Sequence, residues 1–114
     1  MVLRESGTSK MIAFGPEDAA GKLTVNKWTD ATTFSAAYIS LPFFSEEGYL
    51  KIRFDNTNYY YDWSPDGVSF TNITSAAKAD FFTTAADQIG FFINPQAVSG
   101  SETVAMHFTH YEEA

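Results

Sequence analysis

The fold class is decided by residues 49–67, YLKIRFDNTNYYYDWSPDG. Two runs of alternating side chains flank the turn-forming letters DNTN, and an alternation of period two is typical of half-buried β-strands. The short Asp and Asn side chains of this turn bond to the local backbone and tolerate a left-handed φ. After the second run, Pro65-Asp66-Gly67 predicts another tight turn, because proline presets φ and glycine accepts a positive φ. The stretch therefore predicts two consecutive antiparallel hairpins.

The first hairpin has one apolar and one mixed face. Tyr59, Tyr61 and Trp63 form a dense aromatic row opposite the apolar row of the preceding strand, so we expect this row in the core. The other face then carries four residues side by side: Lys51, Arg53, Tyr60 and Asp62. We predict that this face binds a glycan or a protein, because aromatic rings stack on sugar C–H faces and polar groups fix the hydroxyls. A merely solvated sheet face is the alternative.

Similar patterns recur along the chain. Segments with strand character are separated by turn residues at a spacing of about 8–12 residues, which indicates an antiparallel sandwich or barrel. We expect Phe34, Ala36 and Tyr38 to share one strand face, and a single helical turn at Ala76–Ala79. The predicted strands are Val2–Glu5, Lys10–Gly15, Lys22–Trp28, Thr33–Ser40, Tyr49–Asp55, Tyr59–Ser64, Val68–Ile73, Gln88–Asn94 and Glu102–Tyr111. The prediction is an all-β antiparallel β-sandwich, formed as a single domain over residues 1–114.

Composition narrows the classes of partner. The chain of 114 residues has 7 basic and 14 acidic side chains and a net charge of −7. This balance argues against nucleic acid and against an anionic membrane as partners, since both require a positive face. No apolar run has the length of a membrane span, so we expect no membrane insertion. The absence of cysteine excludes disulfides and thiolate metal sites.

The residues that usually carry catalysis are not paired. His107 and His110 are three positions apart on the last predicted strand, so they point to opposite faces. No predicted strand has two carboxylates at i, i+2 spacing, which a pair of glycosidase acids on one face would need. We therefore predict that the protein is not an enzyme, and we assign no catalytic residue and no cofactor.

The turn between the two alternating runs is the best candidate for a cation site. Asp55, Asn56 and Asn58 supply the oxygen donors that Ca²⁺ prefers. The same letters are what a tight hairpin turn requires, and this turn-only interpretation is the alternative. We assign no metal on the sequence alone.

Three segments resemble a known family when they are taken together. Leu50–Asp55, Asn58–Val68 and Asp87–Asn94 are similar in order and spacing to the concanavalin A-like lectin/glucanase jelly roll, in the version found in phage tail and virion structural proteins. The opening Leu3–Lys10, followed by Ile12–Gly15, fits the strand pair that precedes this core in the family. The resemblance covers nearly the whole chain. Relatives usually carry further strands before the position of Met1, so we expect a jelly roll that lacks its first strands.

The resemblance implies a virion role rather than hydrolysis. The glucanase members carry Glu-x-Asp-x-x-Glu or Glu-x-Asp-x-Glu on one strand, and this sequence has neither pattern. The expected function is a non-enzymatic structural module at the surface of a phage particle, which decorates the particle or binds host-surface glycan. Other virion subunits are the expected partners, with homo-oligomerisation through an incomplete sheet edge. The alternative is a degenerate or accessory carbohydrate-binding domain of a glycoside hydrolase.

Overall fold

The computed structural model describes residues 1–17, 21–43, 45, 47–93 and 110–112. These residues form eight strands and one short helix: β1 (Val2–Arg4), β2 (Met11–Glu17), β3 (Lys22–Trp28), β4 (Phe34–Pro42), β5 (Tyr49–Phe54), β6 (Asn58–Ser64), β7 (Thr71–Ala77), α1 (Lys78–Phe81) and β8 (Gln88–Gly90). No helix in this part of the chain is long and apolar enough to cross a membrane.

The strands make two antiparallel sheets. The larger sheet has the order β4-β3-β2-β1-β8, and the smaller sheet has the order β5-β6-β7. Strands β4 and β7, one from each sheet, lie near each other. The prediction of an all-β antiparallel sandwich is confirmed.

The main core lies between the two sheets. The larger sheet contributes alternate residues of β1, β2 and β3, and the smaller sheet contributes the aromatic row of β6. Tyr59 and Tyr61 are 3% and 0% exposed, and Trp63 packs against the same cluster, so the predicted burial of this row is confirmed. The ring centroids of Phe14 and Tyr61 are 5.6 Å apart in an edge-to-face contact that joins the sheets.

The edge strand β4 departs from simple alternation. Its register with β3 skips Ser35 and Tyr38, so each of these residues forms a β-bulge. The bulges place Tyr38 against the core between the sheets, while Phe34 lies beside Trp28 on the opposite face of the larger sheet. The prediction that Phe34 and Tyr38 share a face is therefore wrong, because an extra residue reverses the side to which the following side chains point.

A second, smaller apolar cluster covers the outer face of the larger sheet. Val2, Met11 and Trp28 are buried there. The Trp28 ring makes edge-to-face contacts with Phe34 and Phe92, each with ring centroids 5.5 Å apart. Both faces of the larger sheet therefore bury apolar side chains.

Several strand boundaries differ from the prediction. Strand β3 matches it, whereas β7 begins three residues later than the predicted Val68–Ile73 and ends at Ala77. The Asp66 carboxylate explains the late start, because Oδ1 accepts the N–H groups of Val68 and Ser69 at 2.9 and 2.8 Å and keeps both residues in the turn. The single helical turn is present, two residues further along at Lys78–Phe81.

The carboxyl-terminal predictions are tested only in part. Of the predicted strand Gln88–Asn94, only Gln88–Gly90 forms a strand, and Asn94 lies outside the described residues. Most of the predicted strand Glu102–Tyr111 also lies outside them, including His107, and the described His110 and Tyr111 are not in a strand. Strands β2 and β4 extend beyond the predicted ends at Gly15 and Ser40 and run through Pro16 and Pro42.

Candidate binding surface on the smaller sheet

The structure brings the four predicted binding residues together on the outer face of the smaller sheet. In the register of β5 with β6, Lys51 pairs with Asp62 and Arg53 pairs with Tyr60. Residues directly opposite each other in an antiparallel pair point to the same side. Because Leu50 and Ile52 pack against the core, these four side chains face away from it. The four residues are called the outer face below.

Arg53 and Asp62 form a forked ion pair. Arg53 Nε donates to Asp62 Oδ2 at 2.5 Å, and Nη2 donates to Oδ1 at 3.1 Å. Asn72 Nδ2 on β7 donates to Asp62 Oδ1 at 2.8 Å. The hydrogen bond from Arg53 holds the pKa of Asp62 below its usual value, and the Asn72 hydrogen bond acts in the same direction.

Burial separates the roles of these two residues. Asp62 is only 3% exposed, whereas the Arg53 side chain is 48% exposed. Asp62 is therefore too enclosed to contact a large ligand, and its carboxylate orients the guanidinium instead. The sequence placed Asp62 on the correct face, but its enclosure depends on Asn72 and on the third strand.

Tyr60 lies under the same guanidinium. Arg53 Cζ is 4.8 Å from the centroid of the Tyr60 ring, within the range of a cation–π contact. The Tyr60 hydroxyl donates to Asp55 Oδ2 at 2.8 Å, and this hydrogen bond raises the pKa of Tyr60. The two contacts fix the ring with one side against Arg53.

Lys51 is the second cation of the outer face, and it is exposed to solvent. Its Nζ lies 5.0 Å from the centroid of the Phe70 ring, which follows the second turn. The outer face thus presents Lys51 and Arg53 on aromatic supports, with the carboxylate of Asp62 beneath Arg53. Such a surface suits carboxylates and hydroxyl groups on a partner.

The candidate calcium residues form the hairpin turn instead of an open donor set. Asp55 Oδ1 accepts the N–H groups of Thr57 and Asn58 at 2.9 and 2.7 Å, and Oδ2 accepts the Tyr60 hydroxyl. Asn56 has a φ of 74°, as the turn interpretation requires. The hydrogen bonds from the backbone of Asn58 and from Tyr60 hold the pKa of Asp55 low. No group of three His, Cys, Asp or Glu side chains that could hold a metal occurs among the described residues.

A buried carboxylate that was not predicted to be important, that of Glu5, connects two loops of the molecule. Glu5 is 3% exposed and accepts hydrogen bonds from Thr8 Oγ1 at 2.5 Å and from Thr84 Oγ1 at 2.7 Å. The N–H groups of Thr83 and Thr84 donate to it as well. These bonds, with Thr8 the largest contributor, lower the pKa of Glu5 to about 2. Glu5 therefore connects the segment after α1 to the loop after β1. Both of its carboxylate oxygens accept these hydrogen bonds.

An open groove, which was not predicted from the sequence, runs along β5. The groove has a volume of about 520 Å³ and lies between β5 and the β1–β8 side of the larger sheet. Its apolar lining includes Leu50, Ile52, Phe54 and Ile89. Phe54 and Ile89 are 41% and 40% exposed, although both belong to strands with apolar neighbours. This cavity is called the β5 groove below.

Comparison with known proteins adds no relative to these observations. No family model, no curated protein and no solved structure matches the chain. The sandwich architecture is therefore established by its own sheets, and the likeness to concanavalin A-like domains stays a prediction from the sequence.

Proposed function

We propose that this chain is a non-enzymatic structural module of a phage particle, a β-sandwich of the concanavalin A-like jelly-roll type that decorates the virion surface. The β5 groove is the observation that supports this role best. A sheet edge with exposed apolar side chains beside it is a template for pairing with another chain. A decoration protein needs such a surface, because it functions by contact with neighbouring subunits.

The partners in this proposal are other virion protein subunits, including further copies of this chain. The net charge of −7 also fits a surface location, since acidic proteins stay soluble and avoid unspecific contact with nucleic acid. Light scattering after size-exclusion chromatography measures self-association directly. We expect oligomers at working concentration, and a clean monomer would remove the homo-oligomer from the proposal.

Copy number in purified particles tests the role itself. Quantitative mass spectrometry of density-purified virions, calibrated against the major capsid protein, gives the number of copies per particle. We expect a number comparable with that of the shell subunits. Absence of the protein from washed particles would refute the virion proposal, and a few copies per particle would place it at the tail instead.

Glycan binding by the outer face is the second candidate, and the arrangement of Tyr60 and Arg53 favours it. A fixed aromatic ring beside an oriented guanidinium is a combination that can hold a sugar ring and its hydroxyls. The exposed Lys51 lies next to this pair. A glycan array with Tyr60→Ala and Lys51→Ala tests the idea, and we expect both variants to lose signal.

The glycan experiment leaves Arg53 unchanged by design. Removal of Arg53 would strip the buried Asp62 of its ion partner, so a loss of binding could reflect unfolding. Lys22→Ala on the larger sheet is the matched control, since Lys22 is exposed and outside the outer face. Binding that is unaffected by the Tyr60 and Lys51 substitutions would exclude this face as the glycan site.

A further inference from the structure

The edge strands of the two described sheets differ in how well they could accept another strand. Edge strand β4 carries two bulges, β7 skips Ile73 in its register with β6, and β8 is three residues long. Bulges and short length are the usual protection of an edge against pairing. Only β5 is both regular and long, with six residues in unbroken register with β6 and no described strand on its other side.

The β5 groove provides open space beside this edge. The β5 groove follows Leu50 to Asp55 continuously, and Met1 and Ile89 line its far side. A strand placed next to β5 would extend the smaller sheet from three strands to four. Its inward side chains would cover the exposed parts of Phe54 and Ile89, which are now in contact with solvent.

The β5 strand of a second copy is a poor occupant, so homo-oligomers are expected to use another surface. An antiparallel pair of two β5 strands keeps inward residues opposite inward residues, as the sandwich requires. In the register centred on Lys51, this residue lies opposite Lys51 of the second copy. In the register centred on Ile52, Lys51 lies opposite Arg53 of the second copy. Like charges directly opposite each other destabilise a sheet.

We propose that β5 pairs with an extended segment of a neighbouring virion protein in which apolar residues alternate with carboxylates. This inference rests on the proposed function and specifies its partner. The apolar residues face Leu50, Ile52 and Ile89, and a carboxylate stands opposite Lys51. Opposite charges across a strand pair favour binding, whereas the same position rejects a lysine.

The charges around the groove make Lys51 the deciding residue. Arg53 is already paired with Asp62, and Asp55 is occupied by the hairpin turn. Glu112 also lines the groove and lies 3.6 Å from His110, with its side chain 79% exposed. The cation that directly faces the outer side of an added strand is therefore Lys51.

Synthetic peptides of eight residues provide the probe. One peptide alternates valine with glutamate, and a second of the same length alternates valine with lysine. Titration into the isotope-labelled full chain is followed by amide chemical shifts and hydrogen exchange. We expect shifts and new exchange protection on alternate residues of β5, with the acidic peptide binding about two- to fivefold more tightly than the basic one. Lys51→Glu should reverse this preference, while the matched control Lys22→Glu should leave it unchanged.

Four results would overturn the inference. The first is an absence of shifts on β5 at millimolar peptide. The second is equal binding of the acidic and basic peptides, which would remove the charge recognition. The third is protection of the β5 amides from hydrogen exchange in a dimer without peptide, which would mean that a second copy fills the groove. The fourth is protection of the β5 amides from hydrogen exchange in a monomer without peptide, which would mean that the chain fills its own groove.

These outcomes are independent of the copy-number experiment. If the protein is abundant in particles but the peptides do not bind, the assignment of β5 as the binding surface is refuted and the virion role stands. If the peptides bind but purified particles lack the protein, the surface stands and the virion role is refuted.

Discussion

Two tyrosine hydroxyls on β6 offer a paired test of the packing. Tyr61 is fully buried, and its hydroxyl has no hydrogen-bond partner among the described residues. Burial raises the pKa of Tyr61 far above its usual value, as expected for a hydroxyl removed from solvent. The Tyr59 hydroxyl, two residues away, accepts the N–H of Ala86 at 2.9 Å. Replacement of each tyrosine by phenylalanine removes the same oxygen atom and should have opposite effects on stability.

The magnitudes follow from these environments. A buried hydroxyl without a partner costs about 1–3 kcal/mol, and the small cavity that Tyr61→Phe leaves costs a few tenths of a kcal/mol. Tyr61→Phe should therefore raise the free energy of unfolding by about 1 kcal/mol. Tyr59→Phe removes a hydrogen bond and leaves the Ala86 N–H unpaired, so it should lower the free energy of unfolding by about 1 kcal/mol. At this chain length 1 kcal/mol corresponds to roughly 4 °C in Tm.

Calorimetry and urea denaturation of both variants provide the measurement. The two variants should differ by about 2 kcal/mol in the free energy of unfolding, or roughly 8 °C in Tm. Unchanged m-values would show that the denatured states are comparable. Equal destabilisation by the two substitutions would refute the reasoning, because it would mean that the Tyr61 hydroxyl forms a hydrogen bond as valuable as that of Tyr59.

Three further predictions concern the ion pair, the buried carboxylate and the contact beside Trp63. Asp62→Ala should lower the free energy of unfolding by about 1–3 kcal/mol, because the charged hydrogen bonds from Arg53 and Asn72 are lost. Urea denaturation measures this free energy, and a change near zero would contradict the structural role of Asp62. The pKa of Glu5 lies at about 2 when folded and at its usual higher value of 4.5 when unfolded, so its contribution is fully present above pH 4.5 and is lost as the pH falls from 4.5 to about 2. Melting curves across this window should show a weaker acid sensitivity in Glu5→Gln, and identical pH profiles would be inconsistent with the Glu5 contacts. Gly48→Ala places a Cβ 2.5 Å from Trp63 Nε1, so the indole ring has to move. We expect a changed tryptophan emission spectrum and a loss of about 1–3 kcal/mol in the free energy of unfolding. An unchanged spectrum would argue against this contact.

The local pattern was sufficient for most of the smaller sheet. Alternation in residues 49–64 assigned Tyr59 and Tyr61 to the core and placed the outer-face residues together, because the period of two fixes which side each residue occupies. Turn chemistry likewise located the reversals at Asp55–Asn58 and at Pro65–Gly67. These features depend only on neighbours within a few residues.

Features that depend on distant residues were not predictable. The bulge at Ser35 depends on how β4 pairs with β3, and it places Phe34 on the face opposite to Tyr38. The enclosure of Asp62 needs Asn72 from another strand, and three of the hydrogen bonds to Glu5 come from residues 83 and 84. Side-chain alternation holds no information about such partners.

The sequence by itself determined that this chain is an all-β protein with an aromatic core and a polar outer face on its central hairpin, because strand periodicity and turn residues are local properties. Only the tertiary structure decided that β5 is a regular strand beside an open groove, with no described strand on its outer side. Which described strand lies at the edge of a sheet depends on how the two sheets are ordered and packed, and that order is set by contacts between residues far apart in the chain.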